Sequence, residues 1–290
     1  MKEKNINGKQ QTMLVVVAHP DDETFGMGGT LAYYANKNVK IHLIVTTNGA
    51  AGEVDPQFLE EFNSIAELRA HELHCAANTL GLSSVDYLIY RDSGMSGSDE
   101  NQHPDSLNMA PLDQVAENVL GYVHKYQPQV IITHDPMGGY GHPDHIKTHH
   151  ATMKAFQDAR ELYDKNELPY SPPQKIFFNN MPRKAMKFMV RIMPLYGKDP
   201  KKYGRNGDID LAAIVDVDYP IHTIINYRSV EKIRSAASAC HASQGGASRD
   251  MTFFGHMRRL LNASKDNFTQ VFPSPVNGKV QNDLFANIEY

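Results

Sequence analysis

The first chemical signal in the chain is a run of six residues, Ala18-His19-Pro20-Asp21-Asp22-Glu23. It packs three carboxylates and an imidazole into one short stretch. Carboxylates this close repel one another unless a cation neutralises them. A divalent metal is the simplest such cation. His19 and Asp22 stand three positions apart, so a tight turn can aim both at one ion. Imidazole with carboxylate suits zinc, and ferrous iron is the near competitor. Asp21 would then lie beside the metal without binding it, the position of a general base acting on water. The plainer reading is that His19 and Asp22 only cap a following helix. A cap needs one such residue, not four, so a site is the better expectation.

A catalytic zinc normally has three protein ligands and one open position. The third ligand is expected within Thr133-His134-Asp135-Pro136-Met137-Gly138-Gly139-Tyr140-Gly141-His142-Pro143-Asp144-His145. The glycines give that segment freedom, and Pro143 suits the first turn of a helix. His145 falls in that turn. A lone histidine there would be structural, but a second histidine three residues earlier, an intervening Asp144 and a nearby Tyr140 favour a ligand.

These loops need elements that bring them together. Met13 to Ala18 is a β-branched apolar run, typical of a strand buried on both faces of a parallel sheet. Lys40–Thr47, Val85–Tyr90 and Gln129–Thr133 read as further strands. Helical patterns cover Gly28–Asn38, Asn63–Leu80 (ended by Gly81), Leu112–Tyr126 after Pro111, and Pro143–Arg160. This rhythm predicts an α/β fold: a Rossmann-like, doubly wound, mostly parallel sheet with a less regular C-terminal portion. Ligands bind such sheets beyond the carboxyl ends of the strands, where both motifs fall. Residues 12–160 form the expected catalytic core, 1–11 an extended or disordered N-terminus, and 161–290 a portion completing the substrate pocket, within the same domain. In that portion Glu161–Pro173 reads as a linking loop, Lys175–Phe178 and Leu211–Val217 as strands, Arg228–Cys240 as a helix and Gln244–Arg249 as a mobile lid.

Composition narrows the function. With 290 residues, 41% of them hydrophobic, the chain can bury a sizeable core. A net charge of −4 argues against nucleic acid, which needs a concentrated basic face. The one basic run, from Arg183 to Lys202, reads as a solvated rim. No apolar stretch is long enough to span a membrane, and Met1–Gln11 is too polar for a signal peptide. Two distant cysteines, Cys75 and Cys240, exclude a disulfide framework and fit a reduced, cytoplasmic setting, while leaving one remote bridge open.

Ala-His-Pro-Asp-Asp-Glu at 18–23 and His-Pro-Asp-His at 142–145 resemble the two signatures of the LmbE/PIG-L-like family of N-acetylglucosaminyl-type deacetylases. The stretches Arg91–Gly97 and Gly138–His145 are most similar to the mycothiol-pathway members, the deacetylase and the mycothiol S-conjugate amidase. The likeness spans roughly residues 12 to 160 and thins to Cys240-His241-Ala242-Ser243-Gln244, similar to a late His-x-Ser/Thr-Gln segment of the family. The resemblance implies His19, Asp22 and His145 as metal ligands and Asp21 as general base. It implies that His142 polarises the amide carbonyl and protonates the leaving amine. Asp144 would orient His142 and favour its imidazolium, and Tyr140 would be a mobile residue holding the oxyanion. Arg69 and Asp92 are implied as sugar contacts. The implied reaction is zinc-dependent N-deacetylation of a small amino-sugar substrate, with ferrous iron the alternative metal.

His134 departs from the mycothiol-type enzymes, which usually carry tyrosine there, and residues 170–210 match nothing in the family. That second region is expected at the substrate entrance. The S-conjugate amidase reaction is the rival within enzymes. From other classes, a non-catalytic sugar-binding module and a nucleotide-binding module compete. Gly26-x-Gly28-Gly29 invites the nucleotide reading, but the acidic turn before it would repel a pyrophosphate. Oligomeric state is left open, a homo-oligomer included.

Overall fold

The structure is a computed structural model that describes residues 10–180, 183–202, 210–215, 217–246, 264–275 and 278–289. In chain order, β1 (Thr12–Val17), α1 (Asp22–Ala35), β2 (Lys40–Thr47), α2 (Ile65–Leu80), β3 (Ser84–Tyr90), α3 (Leu112–Tyr126) and β4 (Val130–Thr133) come first. They are followed by α4 (Gly138–Gly141), α5 (Pro143–Asp164), β5 (Lys175–Asn179), α6 (Arg183–Ile192) and α7 (Leu211–Val215). The last are β6 (Thr223–Asn226), α8 (Glu231–Cys240) and β7 (Lys265–Phe272).

The seven strands form one sheet in the order β3-β2-β1-β4-β5-β7-β6. The first five are parallel, and β7 runs antiparallel to both β5 and β6. The doubly wound, mostly parallel sheet expected from the alternating pattern is therefore present. Side chains of β1 alternate between two cores, as a period of two requires. Met13, Val15 and Val17 join Met27 and Leu31 of α1, Leu73 of α2 and Ala237 of α8 on one face. Leu14 and Val16 join Val115 and Val119 of α3 with Ala151 and Phe156 of α5 on the other. Both faces of β1 are thus covered, which explains its unbroken apolar run.

The second half holds the departures. Leu211–Val217 does not form a strand: Leu211–Val215 is helical. The Asp210 carboxylate accepts from the backbone N–H groups of Ala212 and Ala213 at 2.9 and 3.1 Å, and this cap outweighs the β-branched pattern. Helix α5 continues to Asp164, four residues beyond the expected end. Strands β6 and β7 were not foreseen. They extend the same sheet, so the C-terminal portion shares its hydrogen-bond network with the core. The glycines of the first βα turn serve packing: a Cβ on Gly29 would lie 2.2 Å from the Tyr227 ring. Cys75 of α2 and Cys240 of α8 form a disulfide across a sequence separation of 165 residues.

Candidate metal-centred active site

The carboxyl ends of β1, β2, β3 and β4 converge on one cluster. After β1 come His19, Asp21 and Asp22; after β2, Gly49; after β3, Asp92; after β4, His134 and the turn through Tyr140, His142, Asp144 and His145. The two signature loops, more than a hundred residues apart, meet here. His19 Nδ1 lies 3.1 Å from His145 Nε2. His145 Nε2 lies 3.3 Å from Asp22 Oδ1, and His19 Nδ1 lies 3.6 Å from Asp22 Oδ2. Tetrahedral bonds of about 2.0–2.1 Å put neighbouring ligand atoms about 3.3–3.4 Å apart. Asp22 meets the two imidazoles through different oxygens. Among the described residues, the groups whose single ligand atoms all lie within 4.8 Å of one another are His19 with His142 and His145, His19 with Asp92, His142 and Asp144, and Asp22 with His134 and His145. Whatever the tautomers, one of the three contacts among His19, Asp22 and His145 lacks a proton between its atoms or has one too many, and a cation in their midst would relieve it.

His19 is held from behind. Its Nε2 is 3.2 Å from Asp144 Oδ2 and 3.5 Å from Asp92 Oδ1. Carboxylates in that position fix the tautomer of a ligating histidine and raise its basicity. Asp144 also accepts from the Ser93 N–H at 2.9 Å, and Asp92 accepts from Gly94 at 2.9 Å and Ala51 at 3.3 Å. Asp144 was expected to serve His142, and Asp92 the sugar. The geometry turns both toward His19. The Asp144 backbone N–H donates to His142 Nδ1 at 3.2 Å, so the neutral ring of His142 carries its proton on Nε2. Burial, with the charge of His19 added, pushes His142 down to about 4. The Asp144 and Asp92 carboxylates pull the other way, toward imidazolium.

Asp21 has φ of 128°, rare for a residue with a side chain. It occupies the position before α1, yet its carboxylate makes no cap hydrogen bond. Instead it faces Arg69 Nη2 at 3.2 Å. Burial pushes its carboxyl up to about 6, against the pull of that guanidinium. Arg69 is buried, with Nη1 donating to Gly49 O at 2.9 Å and Nη2 to Pro20 O at 2.6 Å. A Cβ at Gly49 would come within 2.6 Å of the guanidinium, so glycine is needed there. Arg69, expected on a sugar hydroxyl, is here a strut beneath the Asp21 turn.

Tyr140 stands between Gly139 (φ 68°) and Gly141 (φ 88°), conformations only glycine adopts readily. Its ring packs edge-on to His142 and His145. Helix α7, which begins just after the unmatched 170–210 region, packs against α4, the turn bearing Tyr140. Of the expected lid, residues 247–249 lie outside the described residues. Gln244 and Gly246 both donate backbone hydrogen bonds to His241 O, so its first residues are tied down.

Three residues matter more than their sequence context suggested. His134 stacks on His145 with ring centroids 4.0 Å apart, and its Nε2 lies 3.5 Å from Asp22 Oδ2. It forms a ligand-like group with Asp22 and His145, but the Ala18 N–H already donates to that Nε2 at 2.9 Å. A nitrogen so engaged supports its neighbours rather than binding an ion. Glu23 and His241 form a fully buried pair, Nε2 to Oε1 at 2.9 Å, between residues 218 apart. The only sequence signal for it was the late His-x-Ser/Thr-Gln likeness.

A family profile described as PIG-L, GlcNAc-PI de-N-acetylase, matches residues 14–156. The 1D-myo-inositol 2-acetamido-2-deoxy-alpha-D-glucopyranoside deacetylase of Acidothermus cellulolyticus is 32% identical over 96% of this chain and 96% of its own length. The chain belongs to the PIG-L family. It is thus a hydrolase of a deacetylase family. Among solved structures, the N,N'-diacetylchitobiose deacetylase of Pyrococcus horikoshii superposes with a TM-score of 0.60 at 18% identity, covering 92% of this chain and 86% of that one. The 4-carboxy-2-hydroxymuconate hydratase of Pseudomonas putida shares the fold at a TM-score of 0.56 and 19% identity, covering 93% of this chain and 100% of that one. One fold thus carries two reactions, so the reaction of a family member must be argued from its site.

Proposed function

We propose that this chain hydrolyses the N-acetyl group of an N-acetylglucosamine-type substrate, releasing acetate and a free amine. His19, Asp22 and His145 would hold one divalent metal, zinc by the donor set, with ferrous iron the alternative. When bound, such a metal supplies Lewis acidity to the amide carbonyl and draws the pKa of water toward about 7. The chain's own residues supply the rest. Asp21, uncommitted to a cap, accepts the proton of the attacking water. Tyr140, which burial keeps protonated, donates to the carbonyl oxygen as charge develops there. His142 presents an N–H at Nε2 toward the reacting group, and as the C–N bond breaks the proton held by Asp21 passes to the leaving amine nitrogen. The Acidothermus cellulolyticus relative is named as a deacetylase of an acetamido-glucopyranoside, which supports the amino-sugar class. Arg69 and Asp92 enter this reading as supports of Asp21 and His19 rather than as sugar contacts. The reading includes a cytoplasmic setting. Among the described residues no helix is long and apolar enough to cross a membrane.

The single observation carrying the reading is the 3.1–3.6 Å convergence of His19, Asp22 and His145 beside a carboxylate that caps nothing. The test joins metal analysis with amine release. Wild type should hold one divalent metal per chain and deacetylate glycosides of N-acetylglucosamine at least tenfold better, by kcat/KM, than an N-acetyl amino acid. His145→Ala should lose stoichiometric metal. Full metal retention in His145→Ala would sink the ligand set, and a tenfold preference for the amino acid would sink the substrate class alone.

A further inference from the structure

The late segment Cys240–Gln244 reaches back to α1 and α2 at three points and to the loop after β2 at a fourth. Cys240 is bonded to Cys75. His241 Nε2 donates to Glu23 Oε1 at 2.9 Å, with both side chains at 0% exposure. The Ser243 N–H and hydroxyl each donate to the Glu72 carboxylate at 2.7 Å. Gln244 Nε2 reaches Glu53 O at 3.5 Å. The pair His241–Glu23 touches none of the proposed metal ligands and is unused by the mechanism above. Burying two charges is expensive, and such pairs contribute little or nothing to stability against an apolar pair of the same shape. A role other than stability would account for it.

Glu23 points to that role. Its Oε1 takes hydrogen bonds from His241 and from the Thr24 hydroxyl. Its Oε2 accepts the backbone N–H of Asp21 at 3.0 Å. Asp21 is the residue with the strained φ of 128°, and strain of this kind persists only where the surroundings over-determine it. Two struts do so here. Arg69 grips Pro20 O and the Asp21 carboxylate from one side. Glu23 grips the Asp21 N–H from the other, and His241 fixes the rotamer of Glu23.

We propose that His241 is a positioning residue for catalysis: through Glu23 it sets the backbone of Asp21 and so the aim of that carboxylate. This rests on Asp21 acting as the base. The C-terminal segment is then part of the catalytic apparatus, although it touches neither substrate nor metal.

The test compares His241→Ala, His241→Gln and Glu23→Gln in the metal-loaded enzyme, on the N-acetylglucosamine glycoside used above. A glutamine at 241 keeps an N–H donor toward Glu23 and should restore most of the activity. His241→Ala and Glu23→Gln should lower kcat at least tenfold while KM moves less than threefold and metal stays at one per chain. A merely structural pair would lower melting temperature and folded yield but leave kcat per bound metal unchanged. The proposal is overturned if kcat per bound metal in His241→Ala stays within twofold of wild type, or if His241→Gln is as impaired as His241→Ala. Should His241→Ala not fold, Glu23→Gln decides alone: tenfold loss supports the strut, wild-type kcat overturns it. Asp21→Asn in the same assay separates the two levels. An active Asp21→Asn removes the base assignment, whereas an inactive Asp21→Asn beside an unimpaired His241→Ala removes only the positioning role.

Discussion

A carboxylate serves as a base when its lone pairs are free and its pKa lies near working pH. Asp21 makes no cap hydrogen bond, though its Oδ2 faces Arg69 at 3.2 Å, and burial lifts its carboxyl to about 6. Tyr140 is the complementary case, a donor that must keep its proton. Burial, reinforced by the charges of Asp22 and Asp21, holds its phenol above the usual range even though 38% of the residue is exposed. It should therefore donate at every pH at which the protein is folded. Tyr140→Phe removes one hydroxyl and no ligand. The expected result is a fall in kcat of about 10²–10³-fold, the usual weight of one oxyanion donor, with unchanged metal content. Steady-state kinetics with metal analysis check this, and a kcat within a few-fold of wild type would take the hydroxyl out of the mechanism.

Helix α8 shows what one element does for another far away in sequence. Burial alone would push His241 down, but the Glu23 carboxylate outweighs it, helped by Asp21 and Glu72, and His241 ends above its ordinary value. A raised folded-state pKa stabilises the protein fully below the unfolded value of about 6.5, and the contribution disappears as pH climbs through the folded value. Wild-type stability should thus decline relative to His241→Gln as pH rises above 6.5, with a slope of at most about 1.4 kcal/mol per pH unit. Urea unfolding of both proteins across pH 6 to 9 reads this directly, and parallel curves would mean that His241 carries no proton in the fold. The same helix marks the limit of sequence reading. The His19–Asp22 spacing and the first-turn position of His145 are local, so their chemistry could be read from order alone. Strands β1 and β4 were legible because burial on both faces leaves an unbroken apolar run. The Glu23–His241 and Glu72–Ser243 contacts exist only once α8 has packed on α1 and α2, and no local period encodes them. Strands β6 and β7 were hidden for a related reason: polar residues such as Asn226 and Asn267 interrupt these antiparallel strands, so they give no apolar run.

At the scale of the molecule, the disulfide decides how the two ends of the chain are coupled. Cys75 sits on α2, one of the helices covering the N-terminal strands, and Cys240 ends α8, just before His241. The bond closes a loop of 165 residues, and a cross-link over so long a loop restricts the unfolded chain strongly, by about 2–5 kcal/mol of stability. A reducing cytoplasm would work against it, because thiol buffers there keep such bonds open. The surface of Cys75 is exposed, so a dithiol reductant can reach the bond. Protein purified without reductant should show no free thiol, and two after unfolding in dithiothreitol. Cys75→Ser with Cys240→Ser should lower unfolding free energy by about 2–5 kcal/mol. Because the bond precedes His241, the same double variant should also lose kcat by a smaller factor than His241→Ala, since Glu23 and Glu72 still hold the segment. If the oxidised and reduced proteins unfold at the same urea concentration and turn over at the same rate, the two cysteines are merely neighbours, and α8 is held by packing and by its carboxylate contacts alone.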